Sequence, residues 1–286
     1  MLAIFQKTVA HPPQELNSPV AAGRAAKTPE GILRAFHAAH PDDSFSATFT
    51  GGAALASVNS GRNMADHRRV FSSLDGIYCL FYGRLDNLSS LIRQYGLCKA
   101  TNEALFVIEA YRTLRDRSPY PADQVVKDLD GSFAFIIYDD RAGTIFAALV
   151  NSPFPFFSLS LSLSLSSFSL RVDEGDVWFA WQSADGRVPL YWGIAADGSV
   201  AISDEQMLIK GSCGKSFAPF PTGCMFHSEG GLKSFEHPMN RMKAMPRVDS
   251  EGVMCGATFN VDAGSRISAM PRVGSAASWS PWGEAP

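Results

Sequence analysis

The sequence predicts an α+β fold, and three features carry that reading. First, residues 77–139 hold IYCLFYGRLDN (77–87), an apolar strand that stops at Gly83, then a helix-like segment ending in LRDR (114–117), then DGSFAFIIYD (130–139), a second apolar strand. Strand, polar turn, helix and strand within about sixty residues make one buried unit. Second, VPLYWGI (188–194) and residues 200–202 flank Ala196-Asp197-Gly198, the pattern of a β-hairpin. Third, 46% of the 286 residues are apolar and 19% are charged, so the chain can bury a sizeable core as one large domain or two small ones.

Residues 2–5 are a short apolar run, stopped by Pro12 and Pro13, and read as a buried strand. A polar loop over 14–30 leads to a helix that starts at Pro29-Glu30 and places Ile32, Leu33 and Phe36 on one face. His37 and His40 lie one helical turn apart. With no third ligand evident they read as a solvated helix end rather than a metal pair. Residues 45–58 alternate small and apolar side chains and look like one or two strands. His67-Arg68-Arg69 is a basic cluster read as a solvated loop, with a carboxylate or other anion contact as the alternative. After Gly83, the residues Leu85, Leu88, Leu91 and Ile92 follow helical spacing. Asn102 caps a further helix whose apolar face uses Leu105, Phe106, Ile108 and Tyr111, and Pro119 and Pro121 end it. LRDR reads as charge pairs on the exposed end of that helix rather than as a binding motif. Residues 204–210 are expected to form a short helix, 232–235 and 254–261 strands, and 237–250 a loop.

From Ser152 to Leu170 every residue is Ser, Pro, Phe or Leu, and Ser alternates strictly with Leu over 158–166. Period two suggests a strand with one apolar face. These four residue types are also those that pyrimidine-only codons encode. Residues 149–182 therefore read as a translated retained intron, against a genuine low-complexity loop as the alternative.

Composition excludes several classes. The net charge of −3 and the lack of a basic stripe interleaved with aromatics argue against a nucleic-acid partner. Five cysteines, Cys79, Cys98, Cys213, Cys224 and Cys255, are an odd number without C-x-x-C spacing, which fits reduced thiols in a cytoplasmic protein better than disulfides or zinc. The opening MLAIFQKTVAHPP does not read as a secretory signal, and no clean apolar run reaches transmembrane length. The nucleus is a second compartment open to such a chain.

YGL (95–97) and LRDR (114–117) resemble the two motifs that describe the plant aluminium-induced and stem-specific proteins. MLAIFQKTVAHPPQEL, IEAYRTLRDRSPYPADQVV, VPLYWGI and GKSFAPFPTGC, in that order, extend the resemblance over nearly all of the chain outside the insert. It implies a plant protein of aluminium, auxin and starvation responses. More distantly, the chain resembles class II glutamine amidotransferases, especially the N-terminal domain of asparagine synthetase. That resemblance implies the N-terminal-nucleophile fold, a four-layer αββα sandwich of two antiparallel sheets. It also implies one domain over 1–262, interrupted at about 149–182, with a disordered tail over 263–286.

The family's oxyanion-hole word Asn-Gly-Glu is matched by Tyr82-Gly83-Arg84, with Asn87 after it. Its Ser-Asp pair, whose Asp holds the glutamine amino group, is matched by Thr101-Asn102. Its Gly-x-Phe-Ala-Phe strand is matched by 131–135 and its Pro-Leu-Tyr strand by 189–191. The amidase reaction needs a thiolate to attack the side-chain amide. In that family the thiol belongs to the residue after the removed Met; here that position is Leu2, which has no nucleophile and resists Met removal. Tyr82 in place of Asn removes an oxyanion donor, worth roughly 3 kcal/mol in other enzymes. Asn102 in place of Asp removes the carboxylate partner of the substrate ammonium. Gly83 and Asn102 also have plain structural readings, as a turn glycine and a helix cap.

The expectation is thus a pseudo-enzyme without catalytic residues, with Leu2 at the vestigial nucleophile position and Tyr82, Gly83, Asn87 and Asn102 around a vestigial cleft. No metal and no cofactor are expected. The partner would be an unidentified protein or small molecule, or a second copy in a homodimer. Two alternatives stand beside this: an active amidohydrolase using another nucleophile, such as Thr8 or a cysteine brought near the cleft, and a structural stress protein without a ligand.

Overall fold

A computed structural model describes residues 1–17, 26–58, 68–116, 123–151, 187–248, 252 and 254–266. Two antiparallel six-stranded sheets lie face to face. One holds, in spatial order, β10 (Phe217–Pro219), β8 (Tyr191–Ile194), β9 (Val200–Ser203), β1 (Leu2–Phe5), β3 (Ala53–Val58) and β2 (Ser44–Phe49). The other holds β12 (Gly231–Ser234), β11 (Cys224–His227), β7 (Thr144–Asn151), β6 (Gly131–Asp139), β5 (Ile77–Leu85) and β4 (Arg68–Leu74). A separate ribbon pairs β13 (Asn240–Val248) with β14 (Met254–Arg266).

Strand side chains alternate between faces, and that period sorts the apolar residues into three layers. Met1, Ala3, Phe5, Leu80, Tyr82 and Trp192 fill the space between the sheets. Leu2 and Ile4, the alternate residues of β1, face outward onto Ile32 and Phe36 of α1 (Pro29–Ala39) and Ile209 of α5 (Gln206–Cys213). On the other side, Phe81, Phe135 and Phe146 meet Phe106 and Val107 of α3 (Glu103–Asp116), flanked by α2 (Leu88–Gln94) and α4 (Asp123–Lys127). Helix, sheet, sheet and helix is the layered α+β arrangement that the resemblance implies. The ribbon closes the sandwich through Phe259, whose ring lies 5.5 Å from that of Trp192, edge to face; Phe220 and Phe226 pack on the same indole at 5.0 and 5.6 Å. Each such pair adds about 1 kcal/mol beyond its buried area.

Several expectations change. Gly83 does not end its strand: β5 runs through it to Leu85, opposite Phe133 of β6. The glycine has φ of +118°, and a Cβ there would strike the Ser132 carbonyl oxygen and lie 2.7 Å from the Phe133 Cα. Close approach of β6 is what requires a glycine here, not a turn. Residues 240–248, expected in a loop, are β13, since Met242 and Ala244 alternate inward against the inter-sheet core. Arg68 and Arg69, expected in a loop, open β4. Leu149, Val150 and Asn151, assigned to the insert, complete β7 against Ala134, Phe133 and Ser132. Asn151 then accepts from the Val188 N–H at 2.9 Å and donates to its carbonyl at 3.3 Å, so the chain leaves and returns at one point. The Ser-Leu tract and Trp279 and Trp282 of the tail lie outside the described residues, whereas residues 263–266 belong to β14.

Candidate functional site

Strand register builds the site. In the β1–β9 ladder Leu2 pairs with Ser203, which leaves the first residue beside the one that follows β9. The Met1 ammonium accordingly lies 2.5 Å from Asp204 Oδ1, with both side chains about 1% exposed. Ser203 fastens the corner: its hydroxyl donates to the Met1 carbonyl at 2.7 Å and accepts from the Glu205 N–H at 3.1 Å. Glu205 in turn meets His40 Nε2 at 2.7 Å.

The second sheet contributes Arg69, which sits opposite Tyr82 in the β4–β5 ladder. Its Nε donates to Asp204 Oδ2 at 2.7 Å across the sandwich, and its guanidinium carbon lies 5.0 Å over the Tyr82 ring. Burial alone would raise the Asp204 pKa, but the Met1 ammonium and then Arg69 outweigh it and hold the carboxyl below its usual range. Burial works against the Arg69 charge in the same way, and Asp204 reverses the balance and raises its pKa. One buried carboxylate thus joins two cations from opposite sheets.

The residues singled out in the sequence divide around this cluster. Tyr82 belongs to it. Leu2 supplies only backbone, because its side chain packs into the helix layer on the far face of β1. Gly83 follows Tyr82 and faces β6 and Val188. Asn87 clips a loop: its amide donates to the Asp128 carbonyl at 2.8 Å and accepts from the Asp130 N–H at 3.2 Å. Asn102 accepts from the Leu105 N–H at 2.8 Å, as a helix N-cap, and from the Ser72 hydroxyl at 3.3 Å. Ser72 pairs with Cys79, which faces α3, so Asn102 works on the helix side of the sheet whose other face carries Tyr82.

Met1, Asp204 and Arg69 were not on the sequence-derived roster. A carboxylate directly after a four-residue apolar strand was the available signal, together with the alternative reading of the Arg68-Arg69 pair as a carboxylate contact.

The thiols lie elsewhere. Cys79 and Cys213 face the two helix layers, and Cys224 lies on β11. Burial pushes the Cys79 pKa far up and those of Cys213 and Cys224 to about 12, so all three are protonated at neutral pH. Cys98 is exposed beyond α2, and Thr8 is exposed beyond β1. His37 meets the Ser44 and Ser46 hydroxyls at 2.8 and 3.0 Å and His40 meets Glu205, so protein groups engage both rings. Among the described residues no cluster of three or more His, Cys, Asp or Glu could hold a metal. No helix among them is long and apolar enough to cross a membrane. Two cavities bounded by described residues, one at Asn151, Val188 and Phe220 and one at His11, Leu232 and Phe259, include none of the residues of the cluster.

The two sequence motifs have structural work. Tyr95 stacks edge-on to Phe106 at 5.1 Å, Gly96 turns with φ of +67°, and the Leu97 N–H returns to the Ile92 carbonyl, which ends α2. Arg115 of LRDR reaches the fully buried Asp139 at 2.5 Å and Asp116 at 2.9 Å, so its partner is a distant turn rather than its own helix alone.

Comparison with known proteins gives three matches. A family model described as "Aluminium induced protein" matches residues 2–157 and 167–261, so the break between them, 158–166, is the alternating Ser-Leu run. A stem-specific protein of Nicotiana tabacum is 41% identical over 150 residues, which is 52% of this chain and 99% of that protein. A probable glutamine-hydrolyzing asparagine synthetase of Dictyostelium discoideum is 32% identical over 107 residues, which is 37% of this chain and 13% of that longer protein.

Proposed function

This chain belongs to the aluminium-induced protein family, and from that membership we propose that it is a non-catalytic relative of the glutaminase domain, working in plant stress and hormone responses by binding a protein partner or a small molecule. The observation that carries the proposal is the Met1–Asp204 pair. An N-terminal-nucleophile amidase needs a first-residue nucleophile and a free α-amine to take its proton. Here the Met1 ammonium is engaged by a carboxylate and the neighbouring Leu2 side chain is turned into the helix layer. Tyr82 stands where the related enzymes carry an oxyanion donor, and its ring is covered by Arg69. Asn102 and Asn87 serve the backbone, which supports structural roles for both.

The test has two arms on the purified protein. Ammonia release from L-glutamine should not exceed that of a heat-denatured control, and release above it sinks the non-catalytic reading. A thermal-shift screen against amino acids and nucleotides should raise Tm for at least one class, since a ligand of the folded state stabilises it by mass action. A flat response across the panel, joined to no protein captured by the immobilised chain, would favour a purely structural protein instead.

A further inference from the structure

We propose that the free α-ammonium of Met1 is a structural group of this fold, and that N-terminal acylation and folding compete for it. This goes beyond the non-catalytic reading and stands whether or not the site binds a ligand. The Met1 nitrogen pairs with Asp204, which Arg69 also engages from the opposite sheet. Met1 and Asp204 are each about 1% exposed, whereas Arg69 is 24% exposed. The Met1 carbonyl is held as well, by the Ser203 hydroxyl at 2.7 Å.

Acylation by an acyl thioester would proceed from the deprotonated amine. Its nitrogen attacks the thioester carbonyl, an amide C–N bond forms, the C–S bond breaks, and the thiol leaves with the released proton. The product nitrogen is neutral, so Asp204 loses the buried one of its two cations and keeps only the partly solvated one. A buried carboxylate stripped of a partner is strongly destabilising. The acyl group would also need room at a residue that is already enclosed. Removing Met1 instead would place the new amine about 3.3 Å further along β1, out of register with Asp204. Because the amine is buried once β1 has docked, an acyl donor reaches it only before the strand is in place. The modification state of the nascent chain then decides whether the two sheets can be joined at this corner.

The test compares two preparations of the untagged full-length chain that differ only in an N-terminal acetyl group, made with and without a co-expressed N-terminal acetyltransferase and verified by intact mass. The acetylated form should show a Tm lower by about 5 °C or more. In Asp204→Asn the penalty for acetylation should shrink or change sign, because the carboxylate that reads the charge is gone and the acetyl group there removes an ammonium left without a counter-charge. Equal Tm values for the two wild-type forms, or an undiminished difference in Asp204→Asn, would overturn the proposal. Should Asp204→Asn fail to fold, a mixed wild-type preparation is separated by size exclusion and its N-terminal peptides are quantified. The folded peak should be enriched severalfold in the free amine over the aggregated material, and equal proportions in both would overturn the proposal as firmly.

Discussion

Met1 and Asp204, 203 residues apart in sequence, are joined by an ion pair of 2.5 Å in which both side chains are about 1% exposed. The pairing of Leu2 with Ser203 in adjacent strands sets them side by side, and Arg69 ties the same carboxylate to the second sheet. The cluster is a link between layers before it is anything chemical.

Asp204→Asn should therefore destabilise the protein by about 3–5 kcal/mol, because it leaves the Met1 ammonium buried without a counter-charge. Chemical denaturation at neutral pH measures it. The pH dependence has a definite sign. The folded-state pKa of Asp204 lies below its unfolded value, so its contribution is complete above the ordinary carboxylate range and is lost as the pH falls through the folded pKa. Wild type should lose this part of its stability on acidification below about pH 4, and Asp204→Asn should lack that component of the slope.

Gly83→Ala should cost about 3 kcal/mol or more. The added methyl meets the Ser132 carbonyl and the Phe133 Cα, and φ of +118° is a region that side chains rarely adopt. Gly96→Ala, at φ of +67° with open space around it, should cost only about 1 kcal/mol. Comparing denaturation midpoints of the two variants separates close packing from backbone preference.

Arg115→Ala should destabilise by about 2 kcal/mol. Asp139 is fully buried, but it keeps the Arg141 and Ala142 N–H groups, both at 3.1 Å, and Arg115 is about one-third exposed, which tempers the loss. Hydrogen exchange should show the change at the turn between β6 and β7 as well as at the end of α3.

Asn102→Ala should cost about 1 kcal/mol as a lost helix cap, and Asn102→Asp should be close to neutral, since Asp caps equally well. Calorimetric titration of Asn102→Asp with glutamine should show no gained affinity. Binding restored by that single carboxylate would return Asn102 to the ligand site.

Much of this architecture was legible because its signals are local. The continuous apolar runs at residues 77–82 and 133–138, the Asn102 cap and the hairpin before Val200 each depend on a few neighbouring side chains. What escaped were features set by distant partners. Gly83 looked like a strand end because the reason for it, the backbone of β6, is 49 residues away at Ser132. The β13 strand looked like a loop because its apolar positions, Met242 and Ala244, are few, and its value lies in covering the inter-sheet core. Arg69 and Asp204 are 135 residues apart and carry no mark of each other in sequence. Which face of β1 the Leu2 side chain takes is likewise not written locally, because it depends on the strand's place between helix layer and core.

The most direct measurement is intact mass of the untagged native protein after incubation with a glutamine-mimicking electrophile at neutral pH, with a class II amidotransferase as positive control. With the first-residue amine held by Asp204 and no thiol beside it, the mass should stay that of the unmodified chain while the control is fully labelled. A stoichiometric adduct on Met1, Leu2 or any residue of the Met1–Asp204–Arg69 cluster, blocked by prior glutamine, would contradict the reading of a silent site.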